Sequence, residues 1–88
     1  MSNAPLHRVP SWDSEVHIAD IPKNEHEVIR VQYLSKGARE YASLREWWTR
    51  PNDPTDTVLK PGKSGITINL ENLADVLEAL QKASDYVG

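Results

Sequence analysis

No cysteine occurs among the 88 residues, which excludes a disulfide framework and any thiolate zinc site. No apolar run approaches the roughly 20 residues that span a bilayer, and the N-terminus lacks a basic stretch leading into an apolar one. Neither a membrane partner nor a secretory signal is expected, and the protein should be soluble and intracellular. Internal repeats and low-complexity tracts are missing too. Eighty-eight residues make one small domain, and a core of that size is marginal alone. Without a covalent staple, the remaining stability has to come from good packing or from a second copy, so a homodimer is expected.

An excess of positive charge is also lacking. Ten Lys and Arg stand against thirteen Asp and Glu, for a formal net charge of −3. The sum hides an asymmetry. Residues 27–69 hold seven cations against five carboxylates, whereas residues 70–88 hold only Lys82 against four acids and residues 1–26 hold Arg8 and Lys23 against four more. A polar molecule with one cationic surface fits that distribution, and a scattered, solvated charge pattern fits it too.

Residues 1–26 contain Pro5, Pro10 and Pro22 with few large apolar side chains and read as an N-terminal extension, partly disordered. Residues 15–19 alternate and can add a short edge strand before Pro22. Trp12 is unusual there and is expected to fold back on the domain. Residues 28–34, VIRVQYL, are β-branched and aromatic and read as a strand. Ser35, Lys36, Gly37 and Ala38 supply a turn, and residues 39–49 return antiparallel. On that return Tyr41, Ser43, Arg45 and Trp47 share one face, and Ala42, Leu44, Glu46 and Trp48 the other. A bulge near residues 45–48 would bring both registers to one surface. Residues 50–56 form a Pro- and Asx-rich loop, Pro61 and Gly62 suit a type II turn, and Ile66 and Ile68 of a last strand face inward. Asn69 is a natural N-cap for a helix on which Leu70, Leu73, Leu77 and Leu80 recur at helical spacing, with a stripe wide enough for the sheet and a twin helix.

Catalytic and metal-binding patterns are weak. Gly62, Lys63 and Ser64 resemble the end of a phosphate loop, but position 57 is Thr and a strand follows instead of a long helix. His7, His17 and His26 stand nine or ten residues apart with no partner at ligand spacing. Nothing places a nucleophile beside a base, and neither a cofactor, a metal nor an enzymatic activity is expected. Lys60 and Lys63 bracketing Pro61 and Gly62 suit a phosphate backbone. Trp47 and Trp48, neighbours on a strand, point to opposite faces, so one is core and the other is free to stack on an unpaired base.

These details meet in one resemblance. Arg45-Glu46-Trp47-Trp48, then Leu59-Lys60-Pro61-Gly62-Lys63-Ser64-Gly65-Ile66, then a leucine-spaced helix, resembles the C-terminal domain of the transcriptional positive cofactor 4 family over about residues 28–83. The resemblance implies an α+β fold: a curved four-stranded antiparallel sheet, then one C-terminal amphipathic helix. Helices pair in a homodimer, and Leu73, Leu77 and Leu80 form the dimer and core stripe. It further implies that Lys36, Arg39, Arg45, Trp48, Lys60 and Lys63 contact single-stranded DNA, with Trp48 as the stacking ring and Trp47 the more buried one. Ser64 replaces a second basic residue of the family pattern, and the loop after residue 50 is longer. The absence of a Ser- and Lys-rich regulatory region aligns the chain with stand-alone bacterial and phage members.

The reading is therefore an N-terminal extension over 1–26, a nucleic-acid-binding domain over 27–84 and a tail over 85–88. Its expected ligand is single-stranded DNA, with RNA offering the same bases and phosphates. Its setting is transcription, replication or repair, with transcription or replication proteins as further partners, in the cytoplasm and nucleoid of a bacterium or the nucleus of a eukaryote. The rival reading is a protein-interaction adaptor that uses the sheet face or the helix stripe.

Overall fold

The computed structural model describes residues 12–87, and between Ser14 and Asn69 they form one antiparallel sheet whose strands lie side by side in chain order. The strands are β1 (Ser14–Pro22), β2 (Glu27–Lys36), β3 (Arg39–Trp48) and β4 (Lys60–Asn69). A 3₁₀ turn, Leu70–Asn72, leads into the helix α1 (Leu73–Val87). The antiparallel sheet followed by one C-terminal helix is the fold expected from the sequence. No helix among the described residues is long and apolar enough to cross a membrane. Residues 1–11, the first part of the expected N-terminal extension, and Gly88 lie outside the described residues.

Gly37 fixes the register of the central hairpin. Its φ of 61° opens a two-residue loop, Gly37 and Ala38, and places Lys36 opposite Arg39. A glycine at the first loop position fits the II′ pattern, whose twist matches that of the flanking strands. The turn is thus tighter than the four residues expected, and β2 and β3 pair without interruption from Lys36 and Arg39 to Glu27 and Trp48.

Paired residues in an antiparallel ladder share a face, and neighbours along a strand alternate. The register therefore divides the sheet into two unlike faces. One carries Val16, Ala19, Ile21, Ile29, Val31, Tyr33, Ala42, Leu44, Ile66 and Ile68, with Glu27, Glu46, Trp48 and Lys60 at its far end. The other carries His17, Asp20, Arg30, Gln32, Leu34, Lys36, Arg39, Tyr41, Ser43, Arg45, Trp47, Thr67 and Asn69. The first is an apolar face and the second a polar one.

β1 is longer than the short edge strand expected, and it includes Pro22. A single-residue bulge at Ile18, between His17 and Ala19, resets the alternation, so Val16, Ala19 and Ile21 all reach the apolar face. That bulge breaks the period of two and hides the strand from a pattern reading. Pro22 is tolerated because β1 is an edge strand and Pro22 ends it. The folded unit therefore begins well before residue 27.

β4 departs further from expectation. Gly62 does not adopt a positive φ, Gly37 being the one described glycine that does, and Pro61 to Gly65 are not a free turn but the bulged start of the strand. Two extra residues fall between Gly65, opposite Arg45, and Pro61, opposite Trp47. The bulge foreseen near residues 45–48 thus lies on β4, and β3 stays in step with β2. Gly62 is required for close approach: a Cβ there would stand 2.9 Å from the Glu46 carbonyl oxygen.

The helix does not cover the sheet. α1 packs against the 3₁₀ turn and makes little contact with any strand, leaving Leu77 57% and Leu80 55% exposed. Ile66, expected to face inward, is 58% exposed on an uncovered apolar face. Asn69 is still in strand register opposite Tyr41, so its side chain belongs to the sheet and makes no capping hydrogen bond. The helix runs on through Val87, into residues expected as tail.

Candidate nucleic-acid interface

Four of the six basic and aromatic residues singled out by sequence fall at two ends of β3, and Arg45 and Lys63 lie between them. At the hairpin end, Lys36 and Arg39 form the last pair of the β2 and β3 ladder, both exposed on the polar face. Neither has an ion-pair or side-chain hydrogen-bond partner among the described residues. Nine residues along β3, about 30 Å at the strand rise, Trp48 and Lys60 pair across β3 and β4.

At that second end Trp48 is 37% exposed, and the Lys60 ammonium lies 4.9 Å from its ring centroid, a cation–π contact. Lys60 is also held by the chain itself: it donates to Asp56 Oδ2 at 2.6 Å and to the Val58 carbonyl at 3.0 Å. Asp56 in turn accepts from the Arg50 and Val58 backbone N–H groups, which folds the loop between β3 and β4 around one carboxylate. Hydrogen bonding from Lys60 first, then from those backbone donors, lowers the Asp56 pKa from 3.8 to about 2.

Arg45 lies on the polar face between the two ends, and it is engaged too. Its Nη1 donates to the Gly62 carbonyl at 3.1 Å and to the Lys63 carbonyl at 3.3 Å, tying down the β4 bulge. The path runs across Gly65, where a Cβ would stand 2.8 Å from the guanidinium carbon. Lys63 gives that carbonyl from within the bulge and keeps its own ammonium exposed, without a partner among the described residues.

The tryptophan pair divides as expected, Trp47 on the polar face and more buried, Trp48 at the strand end and more open. Trp47 carries a neighbour that sequence reasoning missed. The Arg30 guanidinium lies 4.2 Å from its ring centroid and forks onto Asp20 at 2.8 and 2.9 Å. That fork raises the Arg30 pKa and lowers the Asp20 pKa, and His17 Nε2 stands 3.1 Å from the same carboxylate. Recognising it required the β1 register, because Asp20 meets Arg30 only when the bulge at Ile18 is counted.

A solvent-open groove of about 430 Å³ beside the hairpin is lined by Arg39, Asn69, Glu40 and Glu71 among others. Two carboxylates against one cation make it a poor phosphate site. The candidate surface is instead the polar face with its free cations, while the Trp48 ring stands at the far end of β3 in register with the opposite face.

No family model and no curated protein matches the chain. Among solved structures, it is similar to BPSL1147, a PC4 homolog from Burkholderia pseudomallei K96243. The tetragonal crystal form is 31% identical with a TM-score of 0.69, over 81% of this chain and 98% of that one. The chain belongs to the PC4 family. The orthorhombic form of the same protein gives 29% identity and a TM-score of 0.68, over 85% of this chain and 96% of that one. The helix that carries Leu73, Leu77 and Leu80 makes little contact with its own sheet.

Proposed function

We propose that this protein is a homodimeric, non-enzymatic module that binds single-stranded DNA with little sequence specificity and holds exposed strands during transcription, replication or repair. The observation that carries the reading is the open Trp48 ring with the Lys60 ammonium over one face. The other face is left for a base, and base stacking is worth about 1–3 kcal/mol per base. Phosphates would meet Lys36, Arg39 and Lys63, which have no internal partner among the described residues. Arg45 and Lys60 would add contacts by exchanging intramolecular oxygens for phosphate oxygens.

The dimer follows from what one chain leaves bare. The apolar sheet face holds a shallow depression of about 340 Å³ lined by Ile29, Leu44 and Ile66, and the Leu73, Leu77 and Leu80 stripe has no sheet beneath it. Only Leu34 and Ser43 fall to 4% exposure among the described residues, too little core for a stable monomer. A second copy supplies the missing cover. Sedimentation at micromolar concentration should give twice 9.9 kDa, and a mass near 9.9 kDa would end the dimer.

Binding is tested by fluorescence anisotropy of labelled oligo-dT with a duplex competitor. Single-strand affinity falls with salt at a slope of about −0.7 per phosphate neutralised. Three free cations therefore predict a loss of about twentyfold between 50 and 200 mM salt. No binding at 50 mM, or equal competition by duplex, would refute the proposal.

A further inference from the structure

Trp12 is not used by anything described so far. It stands in T-shaped contact with Tyr41, ring centroids 5.3 Å apart and planes at 66°. The segment is fastened there. The Asp13 backbone N–H donates to the Ser35 carbonyl at 2.8 Å, and the Gly37 N–H donates to Asp13 Oδ2 at 2.6 Å. Two bonds, to the end of β2 and to the first loop residue, thus hold the residue after Trp12 against the hairpin turn, so the indole is positioned by the fold.

Its place on the sheet is informative. Tyr41 shares the polar face with Lys36, Arg39 and Arg45, and Trp12, in contact with Tyr41, lies over that same face. Tyr41 comes two residues after Arg39 on β3, so the ring pair sits next to the two cations that have no partner among the described residues. Both rings are half-buried and neither is closed off. In a T-shaped pair the ring that presents its edge keeps its faces clear of its partner. Flat rings beside unpaired cations are the two components of a single-strand site.

We infer that Trp12 and Tyr41 form a second nucleobase-stacking site at the hairpin end of the sheet, with Lys36 and Arg39 holding the adjoining phosphates. This rests on the single-strand reading above and extends it. Seven residues of β3 separate Tyr41 from Trp48, about 23 Å, an odd step that sets the two rings on opposite faces, so a strand engaging both would cross from one face of the sheet to the other. Gln32, Ser43 and Thr67 form a row on the polar face across three strands; Ser43 is buried, and Gln32 and Thr67 are left to meet sugar and base edges.

The test uses the unaltered protein. Oligo-dT substituted with 5-bromodeoxyuridine is bound, irradiated and digested, and the adducts are mapped by mass spectrometry. Adducts on Trp12 or Tyr41 in addition to Trp48 are expected. Adducts on Trp48 with none on Trp12 or Tyr41 would overturn the second site while leaving single-strand binding intact, whereas absence of binding would overturn both. Anisotropy gives the second arm. Trp12→Ala should weaken oligo-dT binding about tenfold and Trp12→Phe, which keeps a ring, should restore most of it. Trp12→Leu keeps apolar cover without a ring, so wild-type affinity in Trp12→Leu would assign Trp12 to packing alone and refute the site.

Discussion

The two ends of β3 use their cations differently. At the hairpin, Lys36 and Arg39 point into solvent with no internal carboxylate. Toward the far end, Lys60 is bonded to Asp56 and Arg45 to backbone carbonyls, which leaves Lys63 as the free cation there among the described residues. The difference teaches that a cation's worth to an anionic ligand depends on what it must give up. A free ammonium on the surface releases a counterion when phosphate arrives, while Lys60 only exchanges one oxygen anion for another. The hairpin end should therefore supply salt-sensitive attraction, and the Trp48 end stacking that salt hardly touches.

The largest effect is expected at the salt-insensitive end. Trp48→Ala should weaken oligo-dT binding by about 1–3 kcal/mol, roughly five- to 150-fold, with the slope of affinity against salt preserved. Unchanged affinity in anisotropy would break the stacking half of the comparison. Next comes the support beneath that end. Gly62→Ala drives a methyl group against the Glu46 carbonyl oxygen at 2.9 Å, a backbone atom that cannot swing aside, and should cost about 1–3 kcal/mol in urea unfolding. Gly65→Ala meets chiefly the mobile end of Arg45, at 2.8 Å. Its cost should be smaller, with Arg45 displaced from the Gly62 and Lys63 carbonyls. Equal losses in the two variants would contradict the roles assigned to these glycines.

A smaller effect sharpens the Lys60 argument. Asp56→Asn removes the carboxylate that occupies Lys60 and should steepen the salt slope by about 0.7. The same carboxylate gives the smallest effect, on acid stability. Its pKa is lowered in the folded state to about 2, so its contribution to stability is complete above the ordinary value of 3.8 and is lost as pH falls toward 2. Urea midpoints measured from pH 5 down to 2 should fall less in Asp56→Asn than in the parent.

The sheet order, the β2 and β3 hairpin and the helix were legible in the sequence because each has a local cause: β-branched alternation, a glycine at the turn, leucines at helical spacing. β1 was legible only in part, as a short edge strand over residues 15–19, because a single bulged residue, Ile18, shifts the phase of the pattern. The Pro61 to Gly65 segment misled because Pro-Gly signals a turn, and here close backbone approach to Glu46 outweighs turn preference. Alternation showed that Trp47 and Trp48 point to opposite faces, and the family resemblance assigned Trp47 as the more buried. The pairings of Lys60 with Asp56 and Arg30 with Asp20 were not readable, since nothing in the spacing of those residues announces which carboxylate reaches which cation. The uncovered face has a similar origin: amphipathicity says that the helix needs an apolar partner, not whether the partner is its own sheet.

The most direct measurement is the salt dependence of oligo-dT binding in two variants, Lys36→Ala with Arg39→Ala, and Lys60→Ala alone. The account predicts that the first flattens the slope by about 1.4 and that the second leaves it near the parent value. A slope unaffected by loss of Lys36 and Arg39, or flattened as much by loss of Lys60 alone, would contradict it.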